Sequence, residues 1–254
     1  MDHAQHNQIV SFIWGIADDI LRDVYVRGKY RDVILPMTVI RRLDAVLEPT
    51  KDGVLQMKQR LDAAGITIQV AGLRQAAGQA FYNTSPFTLR SLLANPKQLR
   101  TNFTAYLDGF SPNVLEILEK FEFRNQLQRL EENDILYALI ERFLDPRINL
   151  SPDPVLNADG SVRLPGLDNH AMGTIFEELI RRFNEENNEE AGEHFTPRDI
   201  VALMANLIFI PIADDLDSGT YLVYDGACGT GGMLTVAERT LRDLAEQHGK
   251  AVSI

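Results

Sequence analysis

Residues 221–240, "YLVYDGACGTGGMLTVAERT", constrain this chain more than any other stretch. An apolar run ends at Asp225, glycines follow at 226, 229, 231 and 232, and a helix-like segment comes next. Glycine accepts positive φ and lets a ligand approach the backbone closely. Placed between a strand end and a helix start, such a loop offers N–H groups and the positive end of a helix dipole. Residues 218–254 read as a turn, a strand at 220–225, the glycine loop, a helix at 231–247, a turn at Gly249 and an opening strand. That order is the β-loop-α-β start of a parallel α/β sheet. A natural α/β domain is not expected to stop as its second strand opens, so this domain is read as incomplete.

Three ligands commonly use such a loop. A P-loop requires a Gly-Lys-[Ser/Thr] ending, and no lysine lies near 226–236. A dinucleotide fingerprint beginning at Gly229 and Gly231 would need a third glycine where Leu234 stands, and it leaves the acid unexplained. S-adenosylmethionine carries a sulfonium and an amino group and no phosphate. A carboxylate at the strand end suits that cationic part, and the bare "GACGTGG" backbone suits a ligand lying across it.

Upstream, the first 145 residues read as mostly helical. Ile9, Ile13, Ile16, Ile20 and Val24 form one stripe at helical spacing; Val33, Met37, Ile40, Leu43 and Leu47 form another, with Pro36 near its start. Further helices are expected near 54–64, 88–94, 96–107, 112–121, 124–132 and 134–144, with Pro96 and Pro112 in first turns. Residues 146–168 hold prolines and glycines without periodicity and read as a linker. A helix resumes near 169 and carries Met172, Ile175, Phe176, Leu179, Ile180 and Phe183. "TPRDIVALMANLIFI" has a helix-start signature: Thr196 as N-cap, Pro197 at the first position and Asp199 at the third. The domains expected are therefore 1–145, a linker at 146–168, and 169–254.

The net charge of −11 argues against a stand-alone DNA binder, which usually carries a basic face. No apolar run approaches a membrane span, and the start does not read as a secretory signal. The single cysteine, Cys228, allows no intrachain disulfide and fits a cytoplasmic protein.

"DGACGTGGM" resembles motif I of amino-methylating DNA methyltransferases, with Gly226 where proline is usual. "AGEHFTPRDIVALM", 191–204, resembles the "G-E-[FY]-[FY]-T-P" segment of the modification (M) subunit of type I restriction–modification enzymes. There His194 replaces the commoner aromatic. "HAMGTIFEELIRRFNE" is similar to the helix preceding that segment in the family, and "GKYRDVILPMTVIRRLDAVLEP" to its N-terminal helical domain. The resemblance covers nearly the whole chain, in order.

It implies a mostly α N-terminal domain followed by the start of a Rossmann-like class I methyltransferase domain. It also implies methyl transfer from S-adenosylmethionine to adenine N6 in duplex DNA, by direct attack of the amine. The cofactor would be held by Glu193, His194, Phe195, Thr196, Pro197 and Arg198, and by Asp225, Gly226, Ala227, Cys228, Gly229, Thr230, Gly231 and Gly232. Partners implied are a specificity (S) subunit, a second M subunit, a restriction (R) subunit and double-stranded DNA. The amine-binding motif [DNS]-P-P-[FYW] is absent, as is the acid expected after a second strand, so the chain is read as an N-terminal piece without catalytic residues of its own. The alternative is a non-catalytic assembly module with a vestigial cofactor domain.

Other candidates are weighed against blander roles. Cys228 reads as a small loop residue rather than a nucleophile. Glu185, Glu186, Glu189, Glu190 and Glu193 read as a solvated run rather than a metal site, and His194 has no zinc-ligand partner nearby. Arg27, Lys29, Arg31, Arg41 and Arg42, with Tyr25 and Tyr30, are candidates for a DNA or partner patch.

Overall fold

A computed structural model of the chain describes residues 3–186 and 196–254. Two compact units emerge, Met1–Leu167 and Asp168–Ile254.

The first unit is helical. α1 (His3–Ile16) buries Ile9, Ile13 and Ile16 on one face. A π-helical turn at Ala17–Leu21 then adds a residue, so Leu21 continues the stripe in the core and Ile20 is only half-buried. α2 (Arg31–Leu47) buries Val33, Ile34, Met37, Ile40 and Leu47, with Pro36 in its interior. α3 (Lys51–Ala63), α4 (Val70–Ala77), α5 (Leu89–Leu92), α6 (Leu99–Asp108), α7 (Pro112–Lys120), α8 (Arg124–Glu132) and α9 (Leu136–Phe143) follow. Each of the expected helices has its counterpart here; α4 had no expectation. Phe103, Tyr106 and Phe123 fill the centre, Phe103 and Phe123 meeting edge-on at 6.0 Å.

Polar groups tie these helices together. The buried Asp44 carboxylate accepts from the Leu89 N–H and the Tyr106 hydroxyl, both at 3.0 Å. Burial pushes its pKa up against the pull of those bonds and of Arg41. Lys51 donates to the Asn83 side chain at 3.0 Å, and burial lowers its pKa to about 8.

Residues 146–167, expected as a linker, are built into this unit. β1 (Val155–Leu156) and β2 (Val162–Leu164) form a short antiparallel hairpin. Ile148, Asn149, Leu150 and Leu167 are buried beside it. Arg42 supplies the reason: its buried Nη1 donates to the carbonyls of both Leu150 and Leu167, each at 2.7 Å. One cation thus closes the segment at both ends, a non-local bond that composition cannot reveal.

In the second unit α10 (Asn169–Glu186) buries Ile175, Leu179 and Phe183. α11 (Arg198–Phe209) packs on α12 (Gly232–Gln247) through Val201, Ala205 and Val236. β3 (Gly219–Thr220) pairs in parallel with β4 (Val252–Ser253), and the Tyr221 N–H donates to the Ser253 carbonyl at 2.8 Å. The strand expected at 220–225 is therefore paired only at its start. Thr220 stands opposite Ser253, so β4 offers no residues across from 222–225. Exposure still alternates there, with Leu222 and Tyr224 outward and Tyr221, Val223 and Asp225 half-buried.

Candidate functional site

The glycine loop adopts the conformation its composition permits. Gly229 has φ 51° and Gly231 φ 78°, both left-handed, and Gly231 is the N-cap of α12. The Gly231 N–H donates to the Cys228 carbonyl at 2.7 Å, closing a tight turn. Asp225 accepts from the Ala227 N–H at 3.0 Å, so its carboxylate both shapes the turn and faces the space beyond it.

That space is a cavity of about 740 Å³. One wall is the run Asp225–Thr230 with Gly232; the other is Thr196 with Val201, Met204 and Ile208 of α11. Among the described residues an apolar wall faces bare backbone and one carboxylate, which suits a flat organic ligand with a cationic group. Cys228 lies exposed within the loop and carries no disulfide.

The segment before α11 departs from expectation. Pro197, with ψ 141°, is the N-cap, and no side chain caps the helix; Thr196 lies one residue outside. The helix starts one position later because the extended Pro197 cannot form its first turn. The first helical residue, Arg198, does not line the cavity. Its guanidinium forks onto the carboxylate of Glu177 on α10, at 2.7 Å and 3.0 Å. Nη1 also donates to the Thr235 hydroxyl at 3.0 Å and faces His170 Nδ1 at 3.3 Å. Burial, then the charge of Arg198, lowers the His170 pKa, which keeps Nδ1 available as an acceptor. Glu177 is 4% exposed and also accepts from the Thr230 hydroxyl at 2.9 Å.

Glu177, His170 and Thr235 escaped the sequence reading. The available signal was an acid inside the apolar pattern of α10, four positions after Gly173. That glycine has a physical purpose: a Cβ there would lie 2.7 Å from Arg198 Nη2.

Glu193, His194 and Phe195 lie outside the described residues, as do Glu189 and Glu190. Glu185 and Glu186 are exposed at the end of α10, Glu185 pairing with Arg181. Among the described residues no cluster of His, Cys, Asp or Glu could hold a metal ion.

The five basic candidates in the first unit are not gathered into one patch. Arg27 and Lys29 are exposed on a short 3₁₀ turn, with Arg31 beside them. Lys29 and Arg31 approach Asp32, at 3.3 and 3.9 Å. Arg41 donates to the Phe143 carbonyl at 3.1 Å and Arg42 is buried, so both brace the fold rather than the surface. Tyr30 is buried as well, and Tyr25 packs under the Arg129 guanidinium at 4.3 Å.

Comparison with known proteins gives these features a family. Residues 9–143 match the HsdM N-terminal domain, and residues 167–254 match the N-6 DNA Methylase domain. The chain belongs to the HsdM family of type I methylase subunits. It is 33% identical over 76 residues to the type I restriction enzyme EcoEI methylase subunit of Escherichia coli, 30% of this chain and 14% of that protein. It is 29% identical over 122 residues to the HindI methylase subunit of Haemophilus influenzae, 46% of this chain and 24% of that protein. The solved type I methyltransferase subunit from Streptococcus thermophilus shares its fold, with TM-score 0.53 and 15% identity over 93% of this chain. This HsdM-family chain thus spans half the length of that structure and a smaller share of the two curated relatives. No helix among the described residues is long and apolar enough to cross a membrane.

Proposed function

We propose that this chain holds S-adenosylmethionine as part of an N6-adenine DNA methyltransferase subunit of a type I restriction–modification system. The observation that carries this is the cavity between the Asp225–Thr230 backbone and Thr196 with α11. The left-handed glycines leave that backbone uncovered, and Asp225 presents the one carboxylate on the loop to a cationic ligand. The cofactor, when bound, supplies a methyl group activated by the sulfonium. Asp225 and the 226–232 loop hold and orient it, with Thr196 on the facing wall; Glu193, His194, Phe195 and Pro197 are further cofactor contacts by the resemblance of their segment alone. Arg198 belongs to the supporting structure. The β3-loop-α12-β4 order, with its parallel pair, supports the start of a Rossmann-like domain.

The partners of such a subunit are a specificity subunit, a second M subunit, a restriction subunit and duplex DNA, in the cytoplasm, and the helical unit offers a candidate contact surface for DNA or a partner. Arg27, Lys29 and Arg31 are its candidate contacts, and Arg41 and Arg42 are not. The chain contains no [DNS]-P-P-[FYW] sequence to hold and stack on a target base. Purified alone, it is expected to transfer no tritiated methyl group to unmethylated DNA above a no-protein blank. Transfer above that blank would show that another element of this chain performs the reaction.

A further inference from the structure

The two walls of the cavity come from separate parts of the second unit, yet one buried carboxylate serves both. Glu177 Oε1 accepts from Thr230 in the glycine loop at 2.9 Å and from Arg198 Nη2 at 3.0 Å; Oε2 accepts from Arg198 Nε at 2.7 Å. Arg198 directly follows Thr196 and Pro197, so the same pair fixes the start of α11. Two glycines make the approach possible. A Cβ at Gly173 would press on the guanidinium, and one at Gly232 would lie 3.1 Å from Glu177 Oε1.

A carboxylate so deeply buried is costly unless fully engaged. Here its partners are the loop and the segment that face each other across the cavity. An apolar core could pack α10 against α11 without a charge, so packing alone does not account for Glu177. A shared anchor does: it sets the spacing between two elements far apart in sequence.

We propose that Glu177 is the positioning residue of this site, latching the glycine loop through Thr230 and the 196–198 segment through Arg198 so that the cavity is preformed. This rests on the cofactor reading above and extends it to a residue that touches no ligand. Thr230 lines the cavity and also acts through its hydroxyl on Glu177.

The test is amide hydrogen exchange on the ligand-free 254-residue chain, followed by titration with S-adenosylmethionine. Thr230→Val keeps the side-chain shape and removes the hydroxyl while leaving the Glu177–Arg198 pair intact. The Gly231 amide, bonded to the Cys228 carbonyl, should then exchange about tenfold faster. Thr230→Ser, which keeps the hydroxyl, should restore the slow rate. Glu177→Gln should accelerate the same amide and also that of Val201, which donates to the Pro197 carbonyl at the start of α11. The titration should show about tenfold weaker binding for Thr230→Val and wild-type affinity for Thr230→Ser. Unchanged Gly231 exchange in both Thr230→Val and Glu177→Gln overturns the latch. Faster exchange in a chain whose wild type binds no cofactor leaves the latch standing and sinks the cofactor reading instead.

Discussion

Glu177→Ala is expected to destabilise the 168–254 unit by about 3–5 kcal/mol, the usual cost of removing one partner from a buried ion pair. The Arg198 side chain is only 19% exposed, and its guanidinium would lose both charge-assisted bonds while keeping a hydroxyl and an imidazole. A neutral pair of acceptors does not replace a carboxylate for a cation out of water. Replacing Glu177 and Arg198 together with leucine or methionine should recover much of the loss, because an apolar pair of similar volume carries no unpaired charge. Amide exchange at 201–209 and 233–247 in denaturant reads both variants. A loss below about 1 kcal/mol for Glu177→Ala would mean that Arg198 finds water in its place.

Arg42→Met should cost the first unit about 2–4 kcal/mol, because two buried carbonyls lose a charged donor and the apolar replacement satisfies neither. The stem of methionine keeps the packing, so the loss reports the hydrogen bonds. Trp14, on α1 and the only tryptophan, supplies the fluorescence signal for the unfolding curve. The variant also separates the two roles considered for this arginine. As a brace, it should release residues 148–167 to proteolysis. As a partner contact, it would leave stability untouched. In the wild type the first cut is expected at the exposed hairpin tip, 157–161, where Gly160 turns with φ 83°.

These effects mark where the sequence was legible. The helices of the first unit were readable because their apolar stripes keep a fixed period, as in Val33, Met37, Ile40 and Leu47. The π-helical turn broke that reading at Ile20, since one inserted residue rotates everything after it. α4 is short, with Gly72 in its first turn and "ITIQ" before it, and it gave no stripe long enough to read. The glycine loop was legible because no other residue type serves left-handed turns as cheaply.

The parts that failed are those fixed by partners distant in sequence. Arg42 looked like a surface cation until Leu150 and Leu167 turned out to lie over it. Arg198 looked like part of the cofactor segment until Glu177, 21 positions away, claimed its guanidinium. Charge in a sequence says that a partner is needed, not which one. Strand 220–225 was legible as a pattern, and its alternating exposure keeps that pattern, but pairing requires a neighbour and β4 reaches only Ser253.

Calorimetric titration of S-adenosylmethionine into the purified chain and its Asp225→Ala variant tests the central assignment most directly. The wild type should bind, and Asp225→Ala should weaken binding by about 1–3 kcal/mol, the range for a lost charge-assisted contact. Glu186→Ala, at the exposed end of α10, should bind as the wild type does. Wild-type affinity in a folded Asp225→Ala variant, or a loss confined to Glu186→Ala, would contradict the placement of the cofactor over the glycine loop.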